Sequence, residues 1–189
     1  MLIKNASILL GKELDLFSFH PEGPGFVFWH PKGWTIYQEI LKLWRQEHKK
    51  AGYLEVNTPI ILDRKLWEES GHWNLYRENM YTTKIDNRDF AIKPMNCPGG
   101  VLIYRQKLHS YKEFPLRIAE LGLVHRHELS GVLAGLFRVR QFTQDDAHIY
   151  CTEEQLESEL IRVIELSQNM LKKFGFTNYT IEMSLRSEA

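Results

Sequence analysis

Residues 124–151 read V-H-R-H-E-L-S-G-V-L-A-G-L-F-R-V-R-Q-F-T-Q-D-D-A-H-I-Y-C, and Arg126, Glu128, Arg138, Gln144, Asp146 and His148 fall at positions of one parity. Side chains alternate across a strand, so two strands at the ends of this segment would carry all six toward one side. Two guanidiniums, two carboxylates, an amide and an imidazole do not make a dry core face, because buried charge needs a partner or a ligand. The expectation is a polar site on two strands joined by a loop that contains Gly131 and Gly135.

The flanking sequence supplies helices and strands around this segment. From Trp34, the residues Tyr37, Ile40, Leu41, Trp44 and His48 recur at helical spacing, and Lys49, Lys50 and Gly52 supply a basic last turn and a stop. An amphipathic helix is predicted there, followed by a strand over 53–58 that ends at Pro59. Residues 12–30, rich in Pro and Gly, predict loops, and 66–76 predict a short helix or two turns. A short strand over 88–92 leads into K-P-M-N-C-P-G-G, read as a constrained loop, and a helix over 100–110 follows. A buried strand is expected over 116–124. Thr152 and Gln155 form a capping-box pair ahead of the apolar stripe Leu156, Leu160, Val163, Ile164, Met170, Leu171 and Phe174, with Gly175 as the stop. Alternation over 179–185 predicts a final strand.

Composition narrows the class. A chain of 189 residues, 43% hydrophobic and 12% aromatic, predicts one globular domain. With 24 basic and 24 acidic residues it has no electrostatic footprint of a general nucleic-acid or membrane binder. No run approaches the roughly 18 apolar residues of a membrane span, and the first residues lack a cleavable signal pattern. The expected location is the cytoplasm. Two cysteines, Cys97 and Cys151, are too few for a disulfide framework, which leaves buried thiols or metal ligands.

Individual residues keep more than one reading. Cys97 and His148 lie far outside zinc-finger spacing, which favours a packed thiol and an unrelated imidazole. Their context, a stiff loop and a strand shared with Asp146, favours zinc, for which thiolate and imidazole are suited. His72 follows a glycine, where it could act as acid or base or simply face solvent. Arg126 and Glu128 read as a surface ion pair. With Arg138 and Arg140 they also read as a polyphosphate site, since convergent guanidiniums bind phosphate bidentately. Neither G-x-x-x-x-G-K-[ST] nor G-x-G-x-x-G occurs, which argues against P-loop and dinucleotide-binding sheets.

G-K-E-L-D-L-F, F-W-H-P-K-G-W, A-G-Y-L-E-V-N-T-P, S-G-H-W, K-P-M-N-C-P-G and F-T-Q-D-D-A-H occur in this order. Through them nearly the whole chain resembles the front portion of the catalytic core of the threonyl-tRNA synthetases, class II aminoacyl-tRNA synthetases. The resemblance implies an α+β fold, a mixed, mainly antiparallel sheet flanked by helices, with residues 1–189 forming part of the catalytic domain. It implies motif 1 over 34–59, building a homodimer interface, and motif 2 at H-R-H-E (125–128) and its returning strand. Motif 3, editing and anticodon-binding domains would lie outside the chain.

Carried over residue by residue, the resemblance makes Arg126 the group that grips the ATP α-phosphate and the amino-acid carboxylate. Glu128 would meet adenine and Arg138 the γ-phosphate. Cys97 and His148 would be two of three Zn2+ ligands, the third a histidine beyond Ala189. Asp146 would accept from the threonine hydroxyl, with Gln144 and Met95 lining the pocket. His72 would assist transfer to the terminal adenosine of tRNA(Thr). The implied activity is threonine–tRNA ligation with ATP and Mg2+, by a chain expected to be inactive alone. Gly100 stands where the family usually has a histidine, Leu129 where it has a proline, Ala134 a loop histidine and Gln141 a glycine. Loss of rigidity at Leu129 and of φ freedom at Gln141 is expected to alter the motif 2 loop. Two other readings stay open: a non-catalytic paralogue binding nucleotide, amino acid or a protein partner, and a dimerising interaction module.

Overall fold

The computed structural model describes residues 2–182, which divide into two compact units between Tyr150 and Cys151. In the first unit, helix α1 (Leu2–Glu13) turns through Asp15, at φ 57°, into a two-residue antiparallel pair, β1 (Phe17–Ser18) and β2 (Phe28–Trp29). Loops alone were expected over 12–30; the helix end and this pair add regular structure there. Helix α2 (Pro31–Lys50) begins three residues before the first apolar repeat, because proline at the first helical position loses no hydrogen bond and has a helical φ. Its basic last turn and Gly52, at φ 82°, end it as the sequence predicts.

After α2 the chain pairs briefly as β3 (Leu54–Glu55), then forms β4 (Ile61–Asp63), α3 (Arg64–Glu69), α4 (His72–Tyr76), β5 (Thr82–Ile85) and β6 (Arg88–Ile92). The predicted strand over 53–58 makes a ladder over two residues only, with Val56 adding one bond to the Ala119 carbonyl before Pro59. Strands β4, β6 and β5, in that order, form an antiparallel sheet. The β5–β6 hairpin turns on Asp86 and Asn87, both at positive φ, as a tight hairpin requires. Trp67, Trp73, Met80 and Ala91 bury a small core between this sheet and the two short helices.

Helix α5 (Cys97–Tyr104) corrects the loop expected at K-P-M-N-C-P-G-G. Pro98 lies in its first turn, where no intrahelical donor is lost, so Gly99 and Gly100 are helical. Two ten-residue strands complete the unit: β7 (Leu116–His125) and β8 (Gln141–Tyr150), antiparallel, with β3 parallel on the other side of β7. Leu129 has φ −61°, the value a proline would impose, so the loop holds a proline-like conformation without one. Gln141 pairs with His125 at the start of β8 and is not among the described positive-φ residues.

In the second unit Thr152 and Gln155 make the reciprocal capping box, and α6 (Leu156–Lys173) runs to a turn at Gly175. Residues 179–182 form no strand, contrary to expectation, and 183–185 lie outside the described residues.

Candidate active site

The site starts from the β7–β8 register. Gly122 pairs with Gln144, Glu120 with Asp146 and Ile118 with His148, so strand alternation sets Gln144, Asp146 and His148 along one face. The shared face predicted for six residues holds for these three. Arg126, Glu128 and Arg138 lie outside the strands, which end at His125 and resume at Gln141. Arg126 still extends the ladder, its N–H donating to the Arg140 carbonyl at 2.9 Å. Its guanidinium lies 5.2 Å from the Phe142 ring and donates to the Pro94 carbonyl at 3.2 Å. Phe142 is one pleat from Gln144, which ties the Arg126 end of the site to the Asp146 end.

The segment entering α5 covers this face. Asn96 donates through Nδ2 to Asp146 Oδ2 at 3.0 Å and to Gln144 Oε1 at 3.3 Å. Half-buried Met95 precedes it and Cys97 follows at the start of α5. One turn along the helix, a Cβ at Gly100 would stand 3.6 Å from His148 Nδ1, so the first turn of α5 faces the imidazole. Burial and the Asp146 carboxylate push the Cys97 thiol above its ordinary 9.0. Cys97, Asp146 and His148 therefore share one neighbourhood. Among the described residues, no three His, Cys, Asp or Glu side chains converge to hold a metal ion. The donor types of Cys97 and His148 fit zinc, of whose tetrahedron they would supply half.

Beyond Cys97 a cleft of about 230 Å³ is lined by His72, Ser70, Cys97 and Arg105. Ser70 Oγ and His72 Nδ1 are 2.8 Å apart, which steadies the ring at the mouth of α4. At the far end Arg138 pairs with Glu128, its Nε at 3.1 Å and Nη2 at 2.9 Å from Oε2. Arg140 departs from the polyphosphate reading. It is 8% exposed and donates to the carbonyls of Glu128 (2.8 and 2.9 Å) and Pro24 (2.9 Å) and to Ser130 Oγ (3.3 Å). It anchors the loop.

Three features escape a reading of the sequence alone. Asn96 is one; Arg140 as an anchor is another. The third is a buried network beside the site, at the ladder partner of Asp146: Lys93 Nζ donates to Glu120 Oε1 and Thr58 Oγ1, each at 2.8 Å, and the Thr58 N–H donates to Glu120 Oε1 at 2.8 Å. The one signal for Asn96 was Gly122, a glycine in the interior of a long strand.

This fold and site define a class II aminoacyl-tRNA synthetase core, and the chain belongs to that family: residues 81–189 match the tRNA synthetase class II core domain (G, H, P, S and T). Within the family it is similar to the threonyl enzymes. It is 63% identical over 179 residues, 95% of its length, to the threonine–tRNA ligase of Carboxydothermus hydrogenoformans, and it spans 28% of that enzyme. The RNA binding domain of threonyl-tRNA synthetase from Cryptosporidium parvum superposes with a TM-score of 0.87 at 39% identity, over 89% of this chain and 42% of that one. Giardia lamblia prolyl-tRNA synthetase, solved with prolyl-adenylate, shares the fold at a TM-score of 0.79 and 19% identity, over 90% of this chain and 36% of that one.

Proposed function

We propose that residues 1–189 form the part of a threonine–tRNA ligase core that carries motifs 1 and 2, and that the complete cytoplasmic enzyme activates threonine with ATP and transfers it to tRNA(Thr). The observation that carries this reading is the line of Gln144, Asp146 and His148 along one face of β8, met by Asn96 and the first turn of α5 with Cys97, with Arg126 and the Glu128–Arg138 pair beyond Phe142. In the reaction the threonine carboxylate attacks the ATP α-phosphorus and pyrophosphate leaves, so the site must hold two anions together. Arg126 suits that task, because a planar guanidinium bridges carboxylate and phosphate oxygens and stabilises charge as it develops. Glu128 takes the adenine and Arg138 the γ-phosphate, exchanging their mutual ion pair for the nucleotide; Mg2+ neutralises the remaining polyphosphate charge when bound.

Asp146 accepts from the threonine hydroxyl, with Gln144 and Met95 beside it. Valine offers no such donor and leaves a polar site unpaired, a difference that supports strong discrimination. Cys97 and His148 would hold Zn2+, which supplies a Lewis-acid position for the substrate amine and hydroxyl. His72, which lines the same cleft as Cys97, assists transfer to the terminal ribose of tRNA in this reading. A homodimer through α2 is supported by its exposed Trp34, Ile36 and Ile40. The test is ATP–pyrophosphate exchange in the full-length protein. Exchange driven by threonine and not by valine is expected; exchange driven equally by both, or by neither, contradicts the reading.

A further inference from the structure

We infer that Asn96 is the positioning residue that aims Asp146 and Gln144 at the amino-acid hydroxyl; this rests on the functional reading above. Asn96 is 1% exposed, and its single NH2 group spends its hydrogens on Asp146 Oδ2 at 3.0 Å and Gln144 Oε1 at 3.3 Å. Only the nitrogen end of the Asn96 amide can face the Asp146 carboxylate, since a carboxylate only accepts and would repel the amide oxygen; Gln144 then turns its own oxygen to the second N–H. Its Oδ1 is buried and has no hydrogen-bond partner among the described residues. The donor contacts therefore set the orientation while the acceptor end goes unsatisfied, an arrangement ordinary packing would avoid.

The strand beneath makes room for this amide. A Cβ at Gly122 would lie 2.1–2.2 Å from Asn96 Nδ2, Cγ and Oδ1, far inside any tolerated contact. Gly122 is the ladder partner of Gln144, so the missing side chain on β7 leaves the recess from which Asn96 reaches across to β8. Asn96 also adjoins Cys97 in sequence. One carboxamide thus locks the entry of α5 to the face carrying Asp146, fixes the rotation of the Asp146 carboxylate through Oδ2, and leaves the other oxygen for a hydroxyl.

The experiment is pyrophosphate exchange by the full-length protein with threonine and with valine, with both substrate KM values measured. Asn96→Ala should raise the KM for threonine about tenfold, leave that for ATP unchanged, and lower the threonine-to-valine ratio about tenfold. Gly122→Ala should reproduce these effects by displacing the amide, and it serves alone if Asn96→Ala does not fold. Adding Gly122→Ala to Asn96→Ala should change nothing further, because the atoms the new Cβ would strike are gone. Asn96→Asp, which sets two carboxylates together, should lose more than Asn96→Ala. Folded variants with an unchanged threonine-to-valine ratio, a parallel rise in both KM values, or additive effects in the double variant would overturn the inference. A wild-type protein without threonine-dependent exchange sinks the functional reading and this inference with it, and is recognised before any substitution is made.

Discussion

Lys93 and Glu120 are 1% and 4% exposed, and each meets the other and Thr58. A buried pair of this kind returns little net stability, yet removing one partner strands a charge. Lys93→Met is therefore expected to cost about 3–5 kcal/mol in chemical denaturation, and Lys93→Met with Glu120→Leu less than that single change. A double variant no more stable than Lys93→Met would contradict this. The pair joins the segment after β3 to the end of β6 and the middle of β7, and so holds the ground from which Asn96 rises. None of it was legible beforehand, since a lysine before a proline and a glutamate in the middle of a strand become partners only through contacts distant in sequence. Arg140 teaches the same lesson: its parity matches Arg138, but Pro24 and the Glu128 carbonyl decide its role.

At the scale of elements, α2 is held to β8 on the side opposite the site. Trp44 Nε1 donates to Asp145, His48 Nε2 lies 3.2 Å from the same carboxylate, and Tyr37 meets Thr143. Burial pushes the Asp145 carboxyl up, and the hydrogen bonds from His48 and Trp44 outweigh it, holding the group below its ordinary 3.8. A depressed carboxyl contributes stability that is present above its unfolded value and lost as pH falls through its folded value. Unfolding of the wild type and of Asp145→Asn should thus differ at pH 7 and converge below about pH 4. A gap that stays constant over that range would show that the carboxylate charge is not what holds the helix.

Elements with strong local patterns were legible: β6 and β7 almost to the residue, and α6 with its capping box. Strand β5 was not, because T-T-K-I is exposed throughout and lacks alternation; only the Asp86–Asn87 turn marked it. The start of α5 was hidden because proline and glycine interrupt most helices but are tolerated in a first turn. The shared face of Gln144, Asp146 and His148 on β8 was legible from parity, which held wherever the ladder continued and failed where the loop began.

On the scale of the whole molecule, the proposed reading gives this chain two zinc donors, Cys97 and His148, and the chain spans 28% of a similar threonine–tRNA ligase. Residues 1–189 alone are expected to bind Zn2+ weakly, with the metal removed by a mild chelator and binding lost in Cys97→Ser and in His148→Ala. Stoichiometric, chelator-resistant metal, measured by elemental analysis after dialysis, would mean that other residues of this chain complete the tetrahedron. In the proposed reading, the motif 2 arginine, the hydroxyl-reading carboxylate and the cysteine–histidine pair all act on one molecule, the aminoacyl-adenylate. The most direct measurement is accordingly calorimetric titration of the full-length protein with non-hydrolysable threonyl- and valyl-adenylate analogues. The threonyl compound should bind at least about a hundredfold more tightly. Equal affinities would show that Asp146 and its neighbours do not read the hydroxyl.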